Sequence, residues 1–216
     1  MAWSSHREGE PVLKGIFTKA EGEASYWSLN TKQVAGTAML SAIAAIMEVL
    51  PLDLRYPLPG RVSIDPVGIP IAVAAILYGP RAGVLATGVT GVAIAARGNP
   101  IGAAFKIPAE LSTAVPLALM LYALKDHFSR GGRATSFVVG LSWMVAVTTR
   151  VAVMTPVIYV FFQLLFSYAS GEVLVLLFPF AIFNLLQGFL NVVPAYLIVD
   201  RLPPDLKPSW LLHDTG

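Results

Sequence analysis

Six apolar runs dominate this chain, and between them they hold only three residues of the Asp, Glu, Lys and Arg classes: Glu48, Glu110 and Arg150. The runs extend from about Val34 to Leu50, Pro66 to Gly79, Ala82 to Ala96, Pro108 to Leu124, Ala134 to Phe166 and Val173 to Val199. Hydrocarbon supplies no hydrogen bonds, so a spanning backbone must satisfy its own polar groups as a helix or a closed barrel. The runs lack the two-residue alternation of barrel strands and are too few for an ordinary barrel. Helices remain. Only 13% of the 216 residues are charged and 56% are hydrophobic, with a mean hydropathy of +0.68. A soluble domain carries about a quarter charged residues. The expected fold is an all-α integral membrane protein, a compact bundle of six transmembrane helices.

The second run is unusual. From Pro66 to Tyr78 it has thirteen positions, which as a helix reach about 20 Å, short of a ~30 Å hydrocarbon core. Asp65-Pro66 precedes it and Gly79-Pro80-Arg81 follows it, a helix start and a tight turn. The connection Pro51 to Pro66 is long and proline-rich. Six spans place both termini on one side. With that side cytoplasmic, ten Lys and Arg fall inside and four (Arg55, Arg61, Arg97, Lys106) outside, as the positive-inside rule requires. Residues 1–32 read as a polar cytoplasmic tail without a cleaved targeting segment, 33–202 as the membrane domain and 203–216 as a second cytoplasmic tail.

Charges within spans are costly and mark candidate sites. Arg150 lies sixteen residues into the fifth run, about 24 Å along a helix. It can snorkel or pair internally, with Glu48 a candidate partner. Lys106 and Glu110, four apart, can pair along one helix face, or Glu110 can face a bound molecule. Asn184, Gln187 and Asn191 form a polar stripe at i, i+3 and i+7 on the sixth run, either interhelical bonding or a pocket wall. Ala38 and Ala42 give a small-residue face for close helix approach, within the bundle or to another subunit.

Catalytic signatures are missing. The sequence has no phosphate-binding GxxxxGK[ST] loop, no HExxH and no GxSxG. It has no cysteine, and His6, His127 and His213 are too scattered for a metal site. We therefore expect no enzyme, no cofactor and no nucleic-acid partner. The residues leave open a stand-alone secondary transporter or facilitator, although no internal repeat is evident. A membrane enzyme on lipid-like substrates and a structural adaptor are the more distant alternatives.

Several elements resemble the substrate-binding S component of energy-coupling factor (ECF) vitamin transporters, over roughly Gln33 to Leu202. Ile64-Asp65-Pro66, Ile69-Pro70 and Tyr78-Gly79-Pro80-Arg81-Ala82-Gly83 resemble the riboflavin-type pattern of acidic outer loop, short helix and inner turn. Ala38/Ala42 resembles the AxxxA contact with the coupling protein. Phe183-Asn184-Leu185-Leu186-Gln187-Gly188 resembles the Phe-Asn-Leu-Ile-Lys-Gly element of the closing helix. Ala109-Glu110-Leu111 and Met154-Thr155-Pro156-Val157-Ile158-Tyr159 resemble Gly-Glu-Leu and Met-Thr-x-x-Asn-Tyr. Thr113, Ile158 and Gln187 depart from the usual Asn, Asn and Lys.

The resemblance implies a multi-pass plasma-membrane subunit that captures a vitamin, riboflavin foremost, from outside. It also implies a membrane coupling protein and two cytoplasmic ATPases as partners. The second helix would be short because its outer end meets a loop that caps the substrate cavity. Glu110, Asn184, Gln187, Tyr159 and Arg150 are the expected substrate contacts, and Ala38 and Ala42 the coupling-protein contact.

Overall fold

The computed structural model describes residues 29–50, 52, 54–59, 62–125 and 133–208. The three histidines and most of both expected tails lie outside these residues. Among the described residues six helices form: α1 (Thr31–Val49), α2 (Gly68–Tyr78), α3 (Pro80–Ala96), α4 (Pro100–Ala123), α5 (Arg133–Phe166) and α6 (Ser170–Arg201). A short 3-10 turn follows at Pro204–Leu206. The loop before α2 adds a small antiparallel ladder that the all-helical expectation omitted: β1 (Leu54–Arg55) against β2 (Ser63–Ile64), with Leu54 opposite Ile64.

Local sequence explains the helix ends. Asn30 caps α1 reciprocally with Gln33, each side chain accepting the other's backbone N–H at 3.0 Å. Asn99 caps α4 through Gly102 N, with Pro100 in the first turn. The fourth helix thus begins eight residues before the expected Pro108, and Lys106 lies inside it. Gly79 alone separates α2 from α3, at φ +90°, a conformation that favours glycine. Pro80 then opens α3. The fifth run is one continuous helix carrying Pro156, with no re-entrant segment.

The short α2 is the bundle's centre. Eight of its eleven residues are buried, and it packs against α1, α3, α4 and α6. Its small side chains make that possible, because Ala72, Ala74 and Ala75 admit neighbouring backbones closely. Buried hydroxyls turn back onto their own helices: Thr87 and Thr90 donate to the carbonyls of Gly83 and Ala86, so they need no partner across the bundle.

Large apolar side chains point outward, Leu164 at 76% exposure and Val175 at 75%. Water would penalise such a surface; lipid does not. Helices α4, α5 and α6 are long and apolar enough to cross a membrane, while α2 and α3 are shorter apolar helices.

Gly83 of α3 sets the approach to α2 and α4. A Cβ there would meet Ala75 Cβ at 2.9 Å and Ala114 Cβ at 3.3 Å, both rooted on backbone, whereas a Cβ at Gly88 meets nothing within 4 Å. Replacing a helical glycine by alanine otherwise gains about 1 kcal/mol. Gly83→Ala should lower the melting temperature in detergent while Gly88→Ala holds or raises it. Equal effects would contradict this packing.

Candidate functional site

Arg150 is 3% exposed and Glu110 1%, and they pair at 3.1 Å in the interior. Their elements explain the meeting: α4 and α5 pack along each other, bringing residue 110 of one against residue 150 of the other. Gly188 on α6 brings that helix close to α5, since a Cβ there would lie 3.1 Å from Val147 Cγ2, with the Arg150 stem in ordinary contact beside it at 3.5 Å. The internal pair replaces the snorkelling alternative, because a guanidinium reaching for the interface would be exposed.

Glu48 was a candidate partner for Arg150, and the structure gives that place to Glu110. Glu48 stands at the end of α1, which packs on α2 and α3. Its carboxylate lies 3.7 Å from Arg97 Nη1 and 3.9 Å from Lys106 Nζ, and its carbonyl accepts from Arg97. The Lys106–Glu110 pair is corrected as well. Lys106 Nζ reaches across to the Asp65 carboxylate at 2.5 Å, while Glu110 is claimed by Arg150 and by Asn191. Sharing a helix face allowed a pair, and stronger partners on other elements displaced it.

The buried pair is engaged on every side but the Nη2 edge of Arg150. Arg150 Nη1 donates to Glu110 Oε1 (3.1 Å), Thr113 Oγ1 (3.1 Å) and Ala109 O (3.2 Å), and Nε donates to Asn184 Oδ1 (3.3 Å). Asn191 Nδ2 donates to both carboxylate oxygens of Glu110, at 3.2 and 3.0 Å. Gln187 Nε2 donates to Asn191 Oδ1 (2.9 Å) and to the carbonyl of Asp65 (2.6 Å), while Gln187 Oε1 accepts from Asp65 N (3.2 Å). The stripe Asn184–Gln187–Asn191 is therefore an interhelical bonding rail. It links α4 and α5 to the loop before α2. Gly68 leaves space for it, since a Cβ there would fall 1.9 Å from Asn191 Nδ2 and 2.5 Å from Glu110 Oε2.

Beside this network lies a cavity of about 390 Å³, within the roughly 300–1,000 Å³ of small-molecule sites. Five phenylalanines line it: Phe105 of α4, Phe162 and Phe166 of α5, and Phe180 and Phe183 of α6. Arg150, Asn184 and Gln187 form a polar patch on its wall, and Glu48, Asp65, Asn99 and Lys106 also border it. Pro59, Val62 and Ser63 contribute the connection after β1 and the start of β2. Tyr56 of that loop rests on Phe183, with ring centroids 5.4 Å apart.

The structure thus brings three of the five expected contacts, Arg150, Asn184 and Gln187, to the cavity. Glu110 sits behind Arg150, off the lining, because the arginine stands between. Tyr159 is also off the lining; its hydroxyl accepts from Gln163 Nε2 at 3.1 Å. The aromatic wall was missed, although Phe162/Phe166 and Phe180/Asn184 repeat at helical i, i+4 spacing and signal shared faces. Ala38 and Ala42 are both exposed, alongside Met39, Ile43 and Ile46 on the outer face of α1.

Breaking a buried pair from one side leaves an uncompensated charge, at a cost of about 3–5 kcal/mol. Arg150→Met should therefore lower thermal stability in detergent more than the double change Arg150→Met with Glu110→Gln. A double variant no more stable than the single one would contradict the pairing.

Comparison with known proteins agrees with this fold. A solved structure described as the S component of a bacterial ECF transporter has the same fold. The TM-score is 0.64 at 23% identity, over 82% of this chain and 98% of that one. No curated protein sequence matches significantly. The family model for the ECF transporter substrate-specific component matches residues 32–199, which takes in all six helices but for their outermost residues. With a membrane bundle built around an aromatic cavity, the chain belongs to the substrate-specific component family of ECF transporters and is a substrate-binding membrane subunit.

Proposed function

We propose that the protein captures riboflavin from outside the cell and holds it in the 390 Å³ cavity for uptake driven by ATP in partner subunits. The carrying observation is the cavity itself. Five phenylalanines with one polar patch suit a flat aromatic ring whose edge bears hydrogen-bonding groups. Riboflavin has such a ring, with two carbonyl acceptors on one edge, and a hydroxylated chain for the polar rim.

In this reading six spans cross the plasma membrane with both termini cytoplasmic. The connection before α2 lies outside, with Pro59, Val62 and Ser63 at the cavity. The contacts with the vitamin come from Arg150, Asn184, Gln187 and the phenylalanines, with Glu110 acting through Arg150. The exposed Ala38/Ala42 face of α1 meets a membrane coupling protein, whose helix approaches closely over the small side chains. Two cytoplasmic ATPases complete the transporter, since this chain carries no nucleotide-binding loop.

Titration of detergent-purified protein with riboflavin, read by quenching of flavin fluorescence, tests the proposal directly. Saturable binding near one flavin per chain is expected. Asn184→Leu removes the acceptor that orients Arg150 Nε, and should raise Kd more than tenfold with expression intact. An unchanged Kd would remove Asn184 from the binding wall, and absence of flavin binding by the native protein would refute riboflavin as the ligand.

A further inference from the structure

Among the described residues, the charges around the cavity cancel locally. Arg150 is neutralised by Glu110 at 3.1 Å. At the rim Lys106 is neutralised by Asp65 at 2.5 Å, and Glu48 lies between Arg97 (3.7 Å) and Lys106 (3.9 Å). Three bases face three acids. An anionic ligand entering this site would give up its hydration and find no cation in surplus among the described residues that border it, and Glu110 stands directly behind the arginine that would receive it.

One donor edge remains. The bonds of Arg150 to the described residues leave from Nε and Nη1, while the side chain lines the cavity. A guanidinium carries five N–H donors in a fixed plane. Nη2 and its two donors are therefore left for whatever occupies the cavity, on a side chain 97% buried by its 3% exposure.

From these two observations we infer that Arg150 and Glu110 together act as a specificity determinant. The pair selects an uncharged ligand that presents carbonyl-type acceptors to the Nη2 edge, and it discriminates against anionic forms of the same ring. Glu110 is the positioning residue: it sets the charge of the arginine without touching ligand. The inference deepens the riboflavin reading, on which its first test rests. It differs from the plain expectation for a cavity arginine, which is recruitment of a phosphate or carboxylate.

The test compares riboflavin with its 5′-phosphate on purified native protein, Glu110→Gln and Arg150→Lys, with folding checked by detergent gel filtration and circular dichroism. The native protein should prefer riboflavin by at least tenfold. Glu110→Gln unmasks the guanidinium charge and should narrow or invert that ratio. Arg150→Lys keeps charge but loses the planar two-donor edge, and should weaken riboflavin more than tenfold. Equal or tighter binding of the phosphate by the native protein would overturn the inference even if the variants fail to fold, and so would a ratio unchanged in a folded Glu110→Gln.

Should the native protein bind neither flavin, the riboflavin reading alone falls. The same comparison then uses nicotinamide against nicotinate, and pyridoxine against its 5′-phosphate. Preference for the uncharged members supports the selection rule, while preference for the anionic members, or binding of no uncharged member, overturns it.

Discussion

A buried arginine opposite a buried glutamate is the constraint around which the rest of this molecule is arranged. Neither charge can stay alone in the interior, where the desolvation penalty is several kcal/mol per ion even after relaxation. Each is therefore surrounded: Arg150 by four acceptors, and Glu110 by the arginine and both reaches of the Asn191 amide. These partners come from α4, α5 and α6, so satisfying one ion pair fixes three helices. Gln187 carries the network on to the backbone of Asp65, and Asp65 carries it to Lys106 at the cavity rim. Core and rim belong to one continuous polar chain.

The shortness of α2 follows from the same arrangement. Its start at Gly68 is pinned where a side chain would strike Asn191 and Glu110, and its end is cut at Gly79 by a left-handed turn. Between these points it runs through the middle of the bundle, shielded by four other helices. A longer helix would push the loop away from Gln187 and open the cavity. The length that looks deficient for crossing a membrane is the length that lets the loop residues Pro59, Val62 and Ser63 border the cavity.

Much of this was legible in sequence, for identifiable reasons. The Asp65-Pro66 and Gly79-Pro80 brackets report backbone geometry, which depends on the residues themselves. Arg150 stood out because a charge amid apolar neighbours must face the interior or reach the interface. The Asn184–Gln187–Asn191 stripe was visible from helical periodicity alone. Partner choice was not. Glu48, Glu110 and Lys106 all offered plausible pairs, and only the packing of α4 on α5 and of α1 on α2 and α3 decides among them. The aromatic wall was hidden for a related reason: in lipid, phenylalanines occur on both inward and outward faces, as buried Phe162 and exposed Phe178 illustrate, so hydrophobicity no longer tells inside from outside.

The central claim is that this charge-compensated aromatic cavity holds an uncharged ring compound, riboflavin. The most direct measurement is the absorbance spectrum and mass of whatever small molecule leaves the protein on denaturation after detergent purification. The account predicts a flavin near one per chain, uncharged and without phosphate. A stoichiometric ligand carrying a phosphate or carboxylate, or lacking an aromatic ring, would contradict it.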